Sequence, residues 1–247
     1  MLTRQLRQRE ATLHAKLNQS CTFSSLKLGL AGLSGQARTQ NTICSTMRLP
    51  LVLSIVLTAS ASAAETCIEA PYTASASDEQ NELREIYLEI APALVRFPSL
   101  REALADGAPK LCLSDKMDNA HAYLDVDDNR IVISRDLHKD MQVAVLLHEI
   151  RHLEQLALGA CPSDNLAMEE YARATFAVEA DASAIALLVA WSMKENGNGL
   201  PWAALSSWPT QTDIAASFAN VMVRSDDAAS AVAAAFDQWY ASADRRE

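Results

Sequence analysis

The chain has 247 residues, with 21 Lys+Arg against 31 Asp+Glu for a net charge of −10. That acidic balance argues against nucleic-acid binding and against docking on anionic membranes, and it mainly favours solubility. No internal repeat, glycine-rich phosphate loop or heptad seam is present, which sets aside solenoids, nucleotide-binding loops and coiled coils.

Residues 1–46 are polar and basic with no clear apolar periodicity, and are expected to be a mis-assigned upstream extension or a long n-region. Met47-Arg48 then leads into the apolar run Leu49 to Leu57 and the small residues Thr58 to Ala64. A basic start, an apolar core and small residues predict a signal peptide over 47–64, cleaved near Ala63 or Ala64. The run is too short for a transmembrane helix of ~20 residues. Glu65 and Thr66 precede Cys67, so no lipoprotein-type cysteine follows directly. The expected product is exported, periplasmic or secreted, with no stable membrane anchor. Residues 65–247 carry 14 Lys+Arg and 30 Asp+Glu, a net charge of −16. Three cysteines remain there, Cys67, Cys112 and Cys161, and an oxidising compartment predicts a bridge between two of them, with the pairing open.

About 183 residues are enough for one domain with its own core. We expect a single domain over 65–247: a helical N-terminal part at 65–111, a catalytic core at 121–195 and C-terminal helices at 196–247. Asp78 to Leu104 reads as helical, broken near Pro92 and Pro98. Ala122 to Val126 and Arg130 to Ser134 flank Asp127-Asp128-Asn129, which predicts a β-hairpin with a polar turn.

The most informative segment is His148-Glu149-Ile150-Arg151-His152, inside an apolar-periodic run. Leu146, Ile150, Leu153 and Ala157 follow a buried-face pattern, Asp136 or Asp140 can cap the start, and Gly159 and Pro162 supply a stop. A helix over roughly Asp140 to Leu158 puts His148 and His152 one above the other, so both imidazoles can reach one metal ion. Glu149 is placed to act as general base.

A catalytic zinc site takes three protein ligands and leaves one position for water. Glu179 is the best third donor. It lies in an alanine-rich helical stretch running to about Lys194, and small residues on its face let two helices approach. Glu169, Glu170 and Asp181 compete with it. Asp181, two residues on, points about 200° away around a helix and is read as supporting or structural. His121, His138 and Tyr171 are further groups that could stabilise an oxyanion or orient substrate.

The two segments His148–His152 and Val178–Leu188 together resemble the gluzincin clan of zinc metallopeptidases. Their local pattern is similar to the ImmA/IrrE group and to exported metallopeptidase domains of unknown function. The resemblance covers about Tyr123 to Trp191. It implies that His148, His152 and Glu179 hold Zn2+, that Glu149 is the catalytic base, and that a strand edge beside the cleft pairs with an extended peptide. Thermolysin-like and membrane-embedded gluzincins would carry an acid where this chain has Ser183, so the group that orients His148 is not identified by it.

Beyond the second helix, Asn196-Gly197-Asn198-Gly199 is a turn, Trp202 and Trp208 flank a Pro-bounded loop, and two alanine-rich helices finish the chain. Phe218, Phe236, Trp239 and Tyr240 read as core. The expected fold is mainly α with a small β-hairpin or sheet, a compact α+β zincin-like domain with its cleft between the motif helix and the hairpin. The expected function is hydrolysis of peptide bonds in a peptide or protein substrate by a zinc-activated water. The alternatives are a non-catalytic exported binding domain, whose structural metal would need a fourth ligand such as Cys161 or His138, and a zinc amidase acting on cell-wall peptide.

Overall fold

The computed structural model describes residues 65–117 and 120–246. The predicted signal peptide at 47–64 and the segment 1–46 lie outside the described residues.

The described chain runs β1 (Thr66–Ile68), α1 (Asp78–Leu94), α2 (Pro98–Gly107), β2 (Lys110–Ser114), β3 (Ala122–Asp125), β4 (Arg130–Ser134), α3 (Lys139–Leu158), α4 (Met168–Glu195), α5 (Leu200–Ser207), α6 (Thr212–Ser225) and α7 (Ala228–Trp239). It is mainly helical with one small mixed sheet, the α+β class expected. The segment 65–111 is less uniformly helical than predicted, because β1 and the start of β2 fall within it.

The sheet order is β1-β2-β4-β3, with β2 and β4 parallel and both outer pairs antiparallel. The middle strands carry the buried apolar runs Leu111-Cys112-Leu113 and Ile131-Val132-Ile133, as parallel pairs covered on both faces require. β3 and β4 form the predicted hairpin, in which Asn129 takes φ 47. Asparagine tolerates the left-handed conformation better than most residues, and here its side chain donates to the Gly107 carbonyl at 3.0 Å. Arg130 pairs with Asp125 within the hairpin and with Glu65, the residue before β1.

Among the described residues, a disulfide joins Cys67 to Cys112, register partners on β1 and β2. It ties an outer strand into the sheet and does not pin the motif helix.

Helix α3 lies where most other elements meet, packing against α2, α4, α5 and the sheet. Leu146, Ile150 and Leu153 are buried as the periodicity requires. Ala157 is exposed instead, because the last turn of α3 emerges beyond its neighbours. Neither Asp136 nor Asp140 caps this helix. His138 holds the N-cap position without a side-chain bond, and Asp140 sits in the first turn, where its charge favours the dipole. Gly107 lets the end of α2 close on α3, since a Cβ there would stand 3.0 Å from Leu153 Cδ1.

Helix α4 is long and apolar enough to cross a membrane by length and composition alone, yet 56% of that apolar window is buried inside the protein. It is a core helix. The stretch between Trp202 and Trp208, expected as a loop, is helix α5 through Ser207, because Pro201 is tolerated in a first helical turn. From there Trp202 packs edge-on against Trp191 with ring centroids 4.8 Å apart, and both rings face Phe218. Phe218 and Trp239 are buried, with Phe236 and Tyr240 packed against the same core.

Helix α3 ends at Gly159 with φ 72, and its N–H bonds back to the last turn. Gly159→Ala places a Cβ in that left-handed conformation and should cost about 1 kcal/mol. The check is a lower urea midpoint with unchanged slope; an unmoved midpoint would contradict the strained cap.

Candidate metal centre

The centre is built by two helices. His148 and His152 sit one turn apart on α3, their rings edge to face with centroids 4.6 Å apart. Glu179 approaches from α4, with Oε2 3.3 Å from His148 Nε2 and Oε1 3.5 Å from His152 Nε2. The two Nε2 atoms are 3.0 Å apart, and the three donor groups lie within 4.8 Å of one another. A tetrahedral zinc with bonds of ~2.0–2.1 Å needs donor atoms roughly 3.3 Å apart, so this set fits such an ion. The site is closed on one side and open on the other, since the His152 side chain is 4% exposed while those of His148 and Glu179 are 22% and 21% exposed.

The competitors for the third position go elsewhere. Glu169 and Glu170 are exposed on the first turn of α4 and pair with Arg173. Asp181 accepts from Arg151 Nε at 2.6 Å and from Gln155 Nε2 at 2.6 Å. Among the described residues, the other cluster of metal-type donors is Glu65, Cys67 and Cys112, whose two cysteines are consumed by the disulfide. Neither His138 nor Cys161 joins the His148 group, so the described residues offer it no fourth protein donor.

Glu149 is buried beside the histidines. Burial pushes its carboxyl above the usual carboxylate range, although the charges of His152 and His148 and a backbone hydrogen bond from Leu124 pull the other way. Leu124 belongs to β3, the outer strand of the sheet, so Glu149 stands between the metal-binding group and a strand edge. His152 is also buried, which opposes its charge, but Glu179 outweighs that and lifts the imidazole to about 9. Burial likewise opposes the charge on Glu179, and the two histidines overcome it and hold this carboxyl far below its ordinary value.

Neither His121 nor His138 joins this group. His121 packs edge-on against Trp208 with centroids 4.8 Å apart, and burial lowers its pKa. His138 is exposed at the start of α3, and the Tyr171 carbonyl accepts from the Thr175 hydroxyl within α4. One participant escaped the sequence reading. Gln155, buried on α3, accepts from His152 Nδ1 at 2.8 Å through its amide oxygen and donates to the Val178 carbonyl at 3.0 Å. The available signal was a long polar side chain three residues after His152, on the same face of a helix that is buried nearly all round.

Two histidines one turn apart on a helix, met by a carboxylate from a neighbouring helix, form a group that could hold a metal ion, as a metallopeptidase-like domain requires. Residues 61–247 match the profile of the Putative metallopeptidase family (DUF6782), and the chain belongs to that family. No curated protein and no solved structure matches it.

The His152–Glu179 pair sets a pH dependence. A histidine raised from 6.5 to about 9 stabilises the metal-free fold fully below about pH 6.5, and that contribution is lost as the pH rises through about 9. The thermal midpoint of chelator-treated protein should therefore fall between pH 7 and pH 9.5, and His152→Gln should flatten that fall. An equally steep fall in the variant would assign it to other groups.

Proposed function

We propose that the protein is an exported zinc-dependent metallopeptidase of the gluzincin type, in which His148, His152 and Glu179 hold Zn2+ and Glu149 is the general base. The observation that carries this is the convergence of two imidazoles and one carboxylate with one side open, because a catalytic zinc takes three protein ligands and a structural one takes four. Zn2+ in that position supplies Lewis acidity towards a scissile carbonyl and makes water a nucleophile near neutral pH.

The chain's own residues do the rest. Glu149, made more basic by burial, takes a proton from the attacking water and delivers it to the leaving amine. The outer edge of β3, beside Glu149, offers backbone groups to an extended peptide, which gives affinity that tolerates many sequences. Partial exposure of His148 and Glu179 leaves an approach for substrate. The substrate is a peptide or protein, and the acidic chain disfavours nucleic acid. Export rests on the signal pattern at 47–64, and the Cys67–Cys112 disulfide agrees with an oxidising compartment.

Elemental mass spectrometry on the purified protein should find one zinc per chain, sharply reduced in His152→Ala and Glu179→Ala. Glu149→Gln should keep the zinc and lower cleavage of a peptide library by about 100-fold or more. Undiminished cleavage by that variant would remove Glu149 from the chemistry.

A further inference from the structure

Gln155 is 2% exposed, and its amide touches three groups of fixed hydrogen-bonding character. Its Nε2 lies 3.0 Å from the Val178 carbonyl and 2.6 Å from Asp181 Oδ2, and its Oε1 lies 2.8 Å from His152 Nδ1. A carbonyl and a carboxylate only accept, so both N–H bonds of the amide must point at them. Reversing the amide would set its oxygen against two acceptors. The oxygen end therefore faces His152, and an oxygen there accepts only from a protonated Nδ1.

From this we propose that Gln155 is a positioning residue for the metal centre: it selects the Nδ1–H tautomer of His152 and so keeps the Nε2 lone pair aimed at the metal position. The proposal rests on the metal-site assignment above and adds a residue that the motif does not include. The Nε2 it frees is the atom that faces His148 Nε2 at 3.0 Å and Glu179 Oε1 at 3.5 Å.

The orientation of Gln155 is itself held. Arg151, the residue before His152, donates through Nε to Asp181 Oδ2 at 2.6 Å and also pairs with the buried Glu154, which fixes the carboxylate that Gln155 reads. Helix α4 thus works on the site twice. Glu179 supplies a donor, while Val178 and Asp181 on either side of it hold the glutamine that aims a donor on α3. Glutamine fits this place better than glutamate, because a carboxylate at 155 could not donate to Val178 or Asp181 and would face the charge of Asp181 directly. Aliphatic residues of the same size fill the space and orient nothing.

The test uses the full chain and zinc itself. Competition against a chromophoric chelator should show Gln155→Leu binding zinc about 10- to 100-fold more weakly than the parent, the range for loss of a partner behind a ligating histidine. Its helical circular dichroism should be unchanged. Affinity within about threefold of the parent would overturn the role. The unaltered protein gives a second reading that does not depend on the variant folding. Long-range proton–nitrogen NMR of the zinc-loaded chain should show His152 protonated at Nδ1 and metallated at Nε2, and zinc on Nδ1 would also overturn it. A parent chain that binds no zinc would overturn the metal site and this role together, whereas full binding by Gln155→Leu removes only the role of Gln155.

Discussion

Two helices can bring a carboxylate within 3.5 Å of two imidazoles only where their backbones come near, and the small residues of α4 secure that approach. Ala180, Ala182, Ser183 and Ala184 are all buried around Glu179. Larger side chains there would push α4 off α3, and the cost would fall on geometry before stability, because a packed core transmits displacement instead of absorbing it. The same approach places Val178 and Asp181 against Gln155. Everything chemical in the site depends on one helix–helix contact.

That contact also concentrates charge. Glu149, Glu154, Glu179 and Asp181 are gathered around a single arginine, Arg151, and two histidines. Buried carboxylates are tolerated only when paired or neutralised. Arg151 serves Glu154 and Asp181, the raised histidine serves Glu179, and Glu149 is the member whose burial drives it towards the neutral form. A divalent cation resolves this balance better than a proton does, since it meets both histidine lone pairs and the Glu179 carboxylate at once. The suitability of the donor set for a metal ion and the marginal charge balance of these residues have one origin.

Much of this was legible in the sequence because it is local. The i, i+4 spacing of His148 and His152, the Gly159 stop and the polar turn Asp127-Asp128-Asn129 before the apolar run of Arg130–Ser134 each need only a few neighbouring residues to be read, and α3, its left-handed cap and the β3–β4 hairpin follow from them. The convergence of Glu179 on the histidines was legible for a further reason, as small flanking residues mark a face that another helix can approach closely. Non-local features were not. The parallel pairing of β2 with β4, the Cys67–Cys112 bridge and the three-residue strand β1 depend on which distant segment lies alongside. The segment between Trp202 and Trp208 reads as a loop because Pro201 is a breaker in isolation, but it is compatible with a first helical turn and the segment is helix. Gln155 looks like any surface glutamine until α4 covers it.

Ser183 shows how the pieces constrain one another. The position, one turn after Glu179 on α4, is a buried serine. An additional carboxylate at 183 would enter a region that already holds four acids against one arginine, with desolvation working against it. A neutral amide on the other helix avoids that cost. Gln155 can accept from His152 without bringing charge, and its two N–H bonds are used by acceptors that α4 presents in any case. A neutral serine at 183 on α4 and a neutral amide at 155 on α3 therefore both avoid adding charge to this helix pair.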